Sequence, residues 1–392
     1  MTSPAEGIPA ADWSYPTAIR FGTGRIGELA DACAQLGMTR PLMVTDRGLA
    51  ALAMVRDALA ANAATGLATG LFSEVSSNPA GRTVEDGVAV FRDGGYDGVI
   101  AFGGGSALDA GKAIAFMAGQ TRQLWDFEDV ADHWRRADAA GIAPVVAVPT
   151  TSGTGSETGR AAVITHEAER TKKIIFHPRM MPATVIADPA LVVGLPPHLT
   201  AATGMDALAH CLEAWCARGH HPMADGIAAE GLRLIRESLP KAVSDGADLT
   251  ARGNMMVAAL MGSTAFQKGL GAIHSLSHPV GALYDTHHGL TNAVFMPYVL
   301  VFNRPAIKDR AARLARYVGL PRPSFAALLD WVLELRETFS IPHSAAELGV
   351  ADRDLELLAR MAAKDPTAAT NPIPVGATEM RRLYEAAQAG RL

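Results

Sequence analysis

Along the first half of the chain, short runs of consecutive apolar residues alternate with longer stretches in which apolar positions recur every three or four residues. The runs are RPLMVTD (40–46), YDGVIAFGGG (96–105), PVVAVPTT (144–151) and ATVIADP (183–189). Each is short, nearly uniformly apolar and bounded by turn residues, so each is expected to be a buried strand. Between them, RIGELADACAQLG and GRTVEDGVAVFRDG carry helical spacing. Strands that alternate with helices predict a mainly parallel sheet covered on both faces. The earlier segment YPTAIRF, with Pro16 and Arg20, makes a poor buried strand.

The texture changes after Asp188-Pro189. From about residue 195, Ala, Leu and Met recur at helical spacing, as in TAATGMDALAHCLEAWCA, HPMADGIAAEGLRLIRESL and SFAALLDWVLELRETF, with no convincing strand. The boundary is therefore placed near 188: an α/β domain over 1–188, Rossmann-like, then an all-helical domain over 189–392. A chain of 392 residues suits two cores better than one.

Composition removes several function classes. A formal charge of −5 without a dense Lys/Arg block gives no face for nucleic acid. No apolar run is long enough to span a bilayer, and the N-terminal MTSPAEGIPAADW reads as a short floppy lead-in, not a signal peptide. Cys33, Cys211 and Cys216 form neither a disulfide framework nor a zinc spacing, so a reducing cytoplasm is expected.

Two glycine-rich segments compete for a dinucleotide pyrophosphate. GTGRIG (22–27) fits G-x-G-x-x-G, but it follows the poor strand and is read as a tight turn before a helix. FGGGSALDAGKAIAF (102–116) runs from a strongly apolar strand through Gly103, Gly104 and Gly105 into a helix. There the backbone can approach a phosphate and free N–H groups can receive it, with Ser106 adding a hydroxyl. Asp46, ending the strand VTD, could accept bonds from both ribose hydroxyls and repel a 2′-phosphate, which favours NAD over NADP. PTTSGTGSE (149–157) follows another strand end, and Thr150, Thr151, Ser152, Thr154 and Ser156 offer hydroxyls there.

Histidines concentrate in the second half, seven of twelve lying between His210 and His288. In TGMDALAHCLEAW, Asp206 and His210 are four apart on a helix and share a face. The same spacing joins His274 and His278 in HSLSHPVGALYDTHHG, which adds His287 and His288. One carboxylate with several imidazoles suits Fe²⁺ or Zn²⁺ better than Ca²⁺ or Mg²⁺. Spacing alone leaves open which histidines are ligands.

GGGSALDAGKAIA, PTTSGTGSE, TGMDALAHCLEAW and GLGAIHSLSHPVGALYDTHHGLTNA occur in one order, and together they resemble the iron-containing (group III) alcohol dehydrogenase family. The resemblance runs from FGTGRIGEL near 21 to NPIPVGATEM near 380. It implies a dehydroquinate synthase-like architecture and a metal, Fe²⁺ with Zn²⁺ possible, held by Asp206, His210, His274 and His288. It also implies dinucleotide contacts from Asp46, Gly104, Gly105, Ser106, Thr150, Thr151, Thr154 and Lys172. His278 matches a histidine that is not a ligand and stands near the nicotinamide. His287 stands where the family often has proline and is read as loop solvation, and His220 and His221 match nothing catalytic. Phe266, Gln267, Asn371-Pro372-Ile373 and WDFED (125–129) depart from the family pattern around an expected substrate entrance.

The expected activity is reversible NAD-linked oxidation of a small alcohol to its carbonyl, with His278 as the proton relay. The expected assembly is a homo-oligomer. Arg160 could anchor an anionic substrate, although a surface or cofactor-side position is the simpler expectation. The alternatives are a glycerol dehydrogenase-like enzyme, a hydroxyacid–oxoacid transhydrogenase, and a non-catalytic nucleotide- or metal-binding protein.

Overall fold

The computed structural model describes residues 15–392, so the lead-in expected at the N-terminus lies outside the described residues. Among the described residues eight strands are formed: β1 (Ala18–Phe21), β2 (Pro41–Asp46), β3 (Gly70–Val75), β4 (Gly98–Gly103), β5 (Val145–Pro149), β6 (Ala161–His166), β7 (Thr171–Phe176) and β8 (Thr184–Ala187). Six of them make one parallel sheet in the order β1-β8-β5-β4-β2-β3, while β6 and β7 pair as an antiparallel hairpin. The four expected strands are the four central ones. Buried on both faces, they have no polar side to betray a period of two.

Alternation is nevertheless present in the packing. Met43, Ile100, Phe102, Val146 and Ile186 face one side of the sheet, where Leu29, Cys33, Val55 and Ala58 of α1 (Leu29–Gln35) and α3 (Ala53–Ala64) meet them. The short α2 (Arg47–Ala50) lies between those two helices in sequence. Leu42, Val44, Val99, Ala101, Val145, Ala147 and Val185 face the other side, against α4 (Gly81–Asp93) and α5 (Gly105–Met117). Each fully buried Val, Leu or Ile contributes roughly 1.5–3 kcal/mol, which is why two helix-covered faces demand unbroken apolar runs.

The edge strands follow another rule. YPTAIRF does contain a strand, but an exposed one at the sheet edge, with Arg20 paired to Glu28 and Asp31. β3, GLFSEV, is the opposite edge and carries polar residues for the same reason. The β6–β7 hairpin was not expected. It packs on α5 and reaches the helical half.

Among the described residues no strand follows Ala187. The remainder is helical: α6 (Pro197–Cys216), α7 (Pro222–Ser244), α8 (Leu249–Ala265), α9 (Ala272–Tyr284), α10 (His288–Tyr317), α11 (Phe325–Thr338), α12 (Leu355–Lys364) and α13 (Ala377–Ala389). Helix α6 is buried nearly throughout and packs on α7, α8 and α10, which its small residues allow. Met256 and Leu260 of α8 join the sheet's own core, so the halves share apolar contacts. Among the described residues no helix is long and apolar enough to cross a membrane. The three cysteines are buried and unpaired, and burial pushes each thiol up to about 12.

Candidate metal and dinucleotide site

Helix α6 supplies Asp206 and His210 one turn apart, α9 supplies His274, and α10 opens on His288. The close approach of α10 to α6 depends on Gly289, where a Cβ would lie 2.2 Å from the Ala202 carbonyl oxygen and 2.9 Å from Asp206 Cβ. Asp206, His210 and His274 are all buried, and each brings a potential ligand atom within 4.8 Å of the other two. His288 joins through its Nε2, 3.6 Å from Asp206 Oδ1, while His274 Nε2 is 3.9 Å from the same oxygen. The rings of His210 and His274 stack with centroids 4.6 Å apart.

Burial lowers His210 to about 4, and burial with the nearby Lys172 ammonium holds His288 well below the ordinary imidazole range. Both rings are therefore neutral and carry a lone pair at neutral pH. His274 is also pulled down by burial, but Glu213 and Asp206 outweigh this and its net shift is upward. The Asn292 amide donates from Nδ2 to Asp206 Oδ1 at 2.8 Å and lies 3.2 Å from Nε2 of both His274 and His288. The chemistry of the donor set fits a divalent transition metal: one carboxylate with imidazoles, enclosed and turned inward.

His278, one turn beyond His274, stacks on His288 with centroids 5.3 Å apart and bonds through Nδ1 to Asp365 Oδ2 at 2.7 Å. A carboxylate only accepts, so His278 Nδ1 carries a proton, and in the neutral ring the lone pair is on Nε2. Burial raises Asp365, but His278 and Thr367 outweigh it and hold the carboxyl below its usual value. His278, Asp365, Lys172, Glu128 and Asp129 line a cleft of about 370 Å³ between the hairpin and the helices. Lys172 Nζ packs against α9, where a Cβ on Gly281 would lie 3.2 Å from it. Burial lowers its pKa against the pull of Asp109, Asp206, Asp285 and Asp365.

The other candidates lie at or just beyond the carboxyl ends of three adjacent strands: Asp46 as the last residue of β2, Gly104 and Gly105 after β4, Thr150, Thr151 and Thr154 after β5. Open α/β sheets bind ligands in this position. Gly104 and Gly105 lie against the threonine loop, since a Cβ on Gly105 would fall 2.5 Å from Thr154 Cγ2. Asp46 Oδ1 accepts from Leu49 N at 2.9 Å and caps α2, leaving Oδ2 for another donor. Ser106 sits in the first turn of α5 with its hydroxyl bonded to the Ser77 carbonyl. The threonine loop then touches the helical half, because Gly155, at φ 61°, packs on Ala259 and Ser263 of α8.

Several expected positions lie elsewhere or act differently. His287 is exposed and also caps α10, its Nδ1 accepting from Leu290 N at 3.4 Å, so it has a structural task beyond solvation. His221 likewise caps α7. Arg160 lies over the Phe176 ring at 5.5 Å. GTGRIG forms a turn into a 3₁₀ segment, Arg25–Glu28, at the sheet edge, as expected. Phe266 packs its ring 5.2 Å from His210, which places that departure from the family pattern beside the candidate ligands. Sequence reasoning missed Glu213, Asn292 and Asp365. Glu213 was legible in principle, since it lies three residues after His210 and seven after Asp206 on one helix face.

The fold and donor set define a metal- and dinucleotide-dependent class of enzyme, and the comparisons place the chain within it. Residues 16–189 match the model for iron-containing alcohol dehydrogenases, and residues 200–388 match that for the C-terminal part of the same family. The chain belongs to the iron-containing alcohol dehydrogenase family. It is 40% identical to the 4-hydroxybutyrate dehydrogenase of Cupriavidus necator, over 95% of this chain and 98% of that one. It is 38% identical to the NAD-dependent methanol dehydrogenase of Bacillus methanolicus, over 91% and 94%. Its structure resembles that of a 1,3-propanediol oxidoreductase, with a TM-score of 0.91 and 34% identity over 97% of this chain and all of that one.

Proposed function

We propose that this protein catalyses the reversible NAD-linked oxidation of a small primary alcohol, with Fe²⁺ held by Asp206, His210, His274 and His288. The observation that carries this reading is the buried convergence of Asp206, His210 and His274 beside a cleft lined by His278, Asp365 and, from the β6–β7 hairpin, Lys172. Bound there, the metal supplies Lewis acidity that makes an alcohol hydroxyl acidic near neutral pH. Asp206 provides the negative charge, and the two imidazoles kept neutral by burial provide lone pairs. The surrounding helices exclude water, which strengthens every charge interaction inside.

His278 takes the released proton at Nε2, with Asp365 holding its ring. Asp46 receives the ribose hydroxyls, Gly104, Gly105 and Ser106 the pyrophosphate, and Thr150, Thr151, Thr154 and Lys172 the rest of the dinucleotide. The same reading divides the chain at 188/189, assembles it as a homo-oligomer and locates it in the cytoplasm, where buried free thiols stay reduced. The relatives named for hydroxybutyrate, methanol and propanediol share a primary hydroxyl and differ at the far end, so the metal end is taken as constant and the remote end as variable.

The test is NADH absorbance when Fe²⁺-loaded protein and NAD meet methanol, ethanol, 1,3-propanediol, 4-hydroxybutyrate and glycerol. Turnover of a primary alcohol is expected. A response to glycerol alone would indicate a glycerol dehydrogenase-like enzyme, and exchange between a hydroxy acid and an oxo acid without added NAD would indicate a transhydrogenase. Silence with every alcohol would favour a binding protein.

A further inference from the structure

Helix α6 carries a third inward carboxylate or imidazole besides Asp206 and His210. Glu213 is 6% exposed, and both of its oxygens are engaged at the start of α9. Oε1 accepts from Ile273 N at 2.7 Å, and Oε2 lies 2.5 Å from His274 Nδ1. We propose that Glu213 is a positioning residue for the metal site, fixing both the tautomer and the aim of His274. This rests on the reading of His274 as a ligand.

The argument is one of donors and acceptors. A carboxylate has no proton to give, so the neutral His274 ring, the form that can ligate a metal, must carry its proton on Nδ1 and keep its lone pair on Nε2. The opposite side of the ring agrees. Asn292 Nδ2, which can only donate, lies 3.2 Å from His274 Nε2, and its orientation is set by the Asp206 carboxylate, whose Oδ1 accepts from Nδ2 at 2.8 Å. Two independent contacts thus demand the same tautomer. Because Glu213 also ties the Ile273 N–H, the ring and the backbone of α9 are referenced to α6, the helix that bears Asp206 and His210. One helix then sets two ligands directly and aims the third. Carboxylate partners that orient ligating imidazoles commonly contribute 10–100-fold to metal affinity.

A purely structural role, capping α9, makes a different prediction. Glu213→Gln keeps an oxygen for the Ile273 N–H but turns an NH₂ toward His274, forcing the proton onto Nε2 and removing the lone pair aimed at the site. The experiment titrates Zn²⁺ and Fe²⁺ against a competing chelator in the parent, in Glu213→Gln and in His274→Ala. Expected is a parent that binds metal, a His274→Ala protein that does not, and a Glu213→Gln protein weakened roughly 10–100-fold. A Glu213→Gln affinity within about threefold of the parent overturns the positioning role while leaving the ligand reading intact. A parent without metal affinity, or His274→Ala binding as the parent does, overturns the ligand reading and this proposal with it. Should Glu213→Gln fail to fold, nitrogen NMR of ¹⁵N-histidine-labelled, Zn²⁺-loaded parent decides. A protonated Nδ1 on His274 with Nε2 on the metal is expected, and a metal-bound Nδ1 or protonated Nε2 overturns it.

Discussion

In the helical half, the candidate ligands are side chains rooted in or at the start of long helices: Asp206, His210 and His274 are each no more than 5% exposed. In the α/β half, the candidate cofactor contacts are mostly backbone and hydroxyl groups on loops past the strand ends, and most of them are only partly buried. The first arrangement fixes a few atoms rigidly by packing, at the expense of burying charge. The second leaves a broad surface that a large ligand can enter. A metal needs a few donors within tenths of an ångström, whereas a dinucleotide needs many weak contacts over a long path. The two halves answer those two demands, so damage to either should be separable.

The largest effect is expected from His274→Ala. Loss of a Lewis acid that contributes several kcal/mol should lower kcat/KM roughly a thousandfold or more. Metal analysis should show the ion gone, while NADH binding, followed by its fluorescence, stays near the parent value. If cofactor affinity fell in parallel, the independence of the two halves would be wrong.

Next comes a buried carboxyl in the α/β half. Glu157, in the threonine loop, is 1% exposed, and burial pushes its carboxyl up to about 7 from an ordinary 4.5, against the pull of Lys112. The folded chain therefore keeps a proton that the unfolded chain releases. That contribution to stability is complete below about pH 4.5 and is lost as pH rises through about 7, in total roughly 3 kcal/mol. Glu157→Gln has no proton to lose. Denaturant unfolding should show the variant gaining on the parent as pH rises from about 4.5 to 8. A constant difference across that range would refute the shift.

How much of this could be read beforehand divides along the same line. The central strands were legible because double burial forces unbroken apolar runs, and Asp206–His210 because helical spacing aligns them. The edge strands β1 and β3 were obscure because an exposed edge tolerates Arg20 and Glu74 and so loses the apolar signal. The β6–β7 hairpin hid behind charged residues such as Lys172 and Lys173, whose ammonium groups bend to Glu128 and Glu169 or toward α9. Residues that act through another, such as Asn292 on His274 and Asp365 on His278, carry no local pattern. Their partners lie 18 and 87 positions away, and only the fold brings them together.

Gly105→Ala probes the cofactor half by crowding. The backbone there needs no unusual φ, so the whole penalty is steric: the new methyl would meet Thr154 Cγ2 at 2.5 Å. Separating the two loops should cost about 1–3 kcal/mol, read as a rise in KM for NAD with metal content unchanged. Thr154→Ser in the same chain deletes the obstructing methyl and should recover part of the loss. No recovery would mean the loops are not held by that contact.

The smallest effect expected is also the one that resolves cofactor choice. Asp46 has two oxygens with separate tasks. Oδ1 caps α2 through Leu49 N, which leaves Oδ2 for the proposed ribose. Asp46→Asn retains a capping oxygen, since asparagine and aspartate cap equally well, so folding should be unaffected. What disappears is the charge. A 2′-phosphate would no longer meet a carboxylate, and at a half-exposed, screened position that relief is about 1 kcal/mol, several-fold in kcat/KM for NADP. NAD should lose a similar amount, because a charge-assisted bond to ribose becomes a neutral one. Arg47 does not assist at first, because its guanidinium pairs with Glu74 on β3. Adding Glu74→Gln frees it, and the double variant should use NADP better than Asp46→Asn alone. If instead both cofactors weakened equally with Asp46→Asn, the carboxylate would be acting through the cap of α2 and not through the ribose.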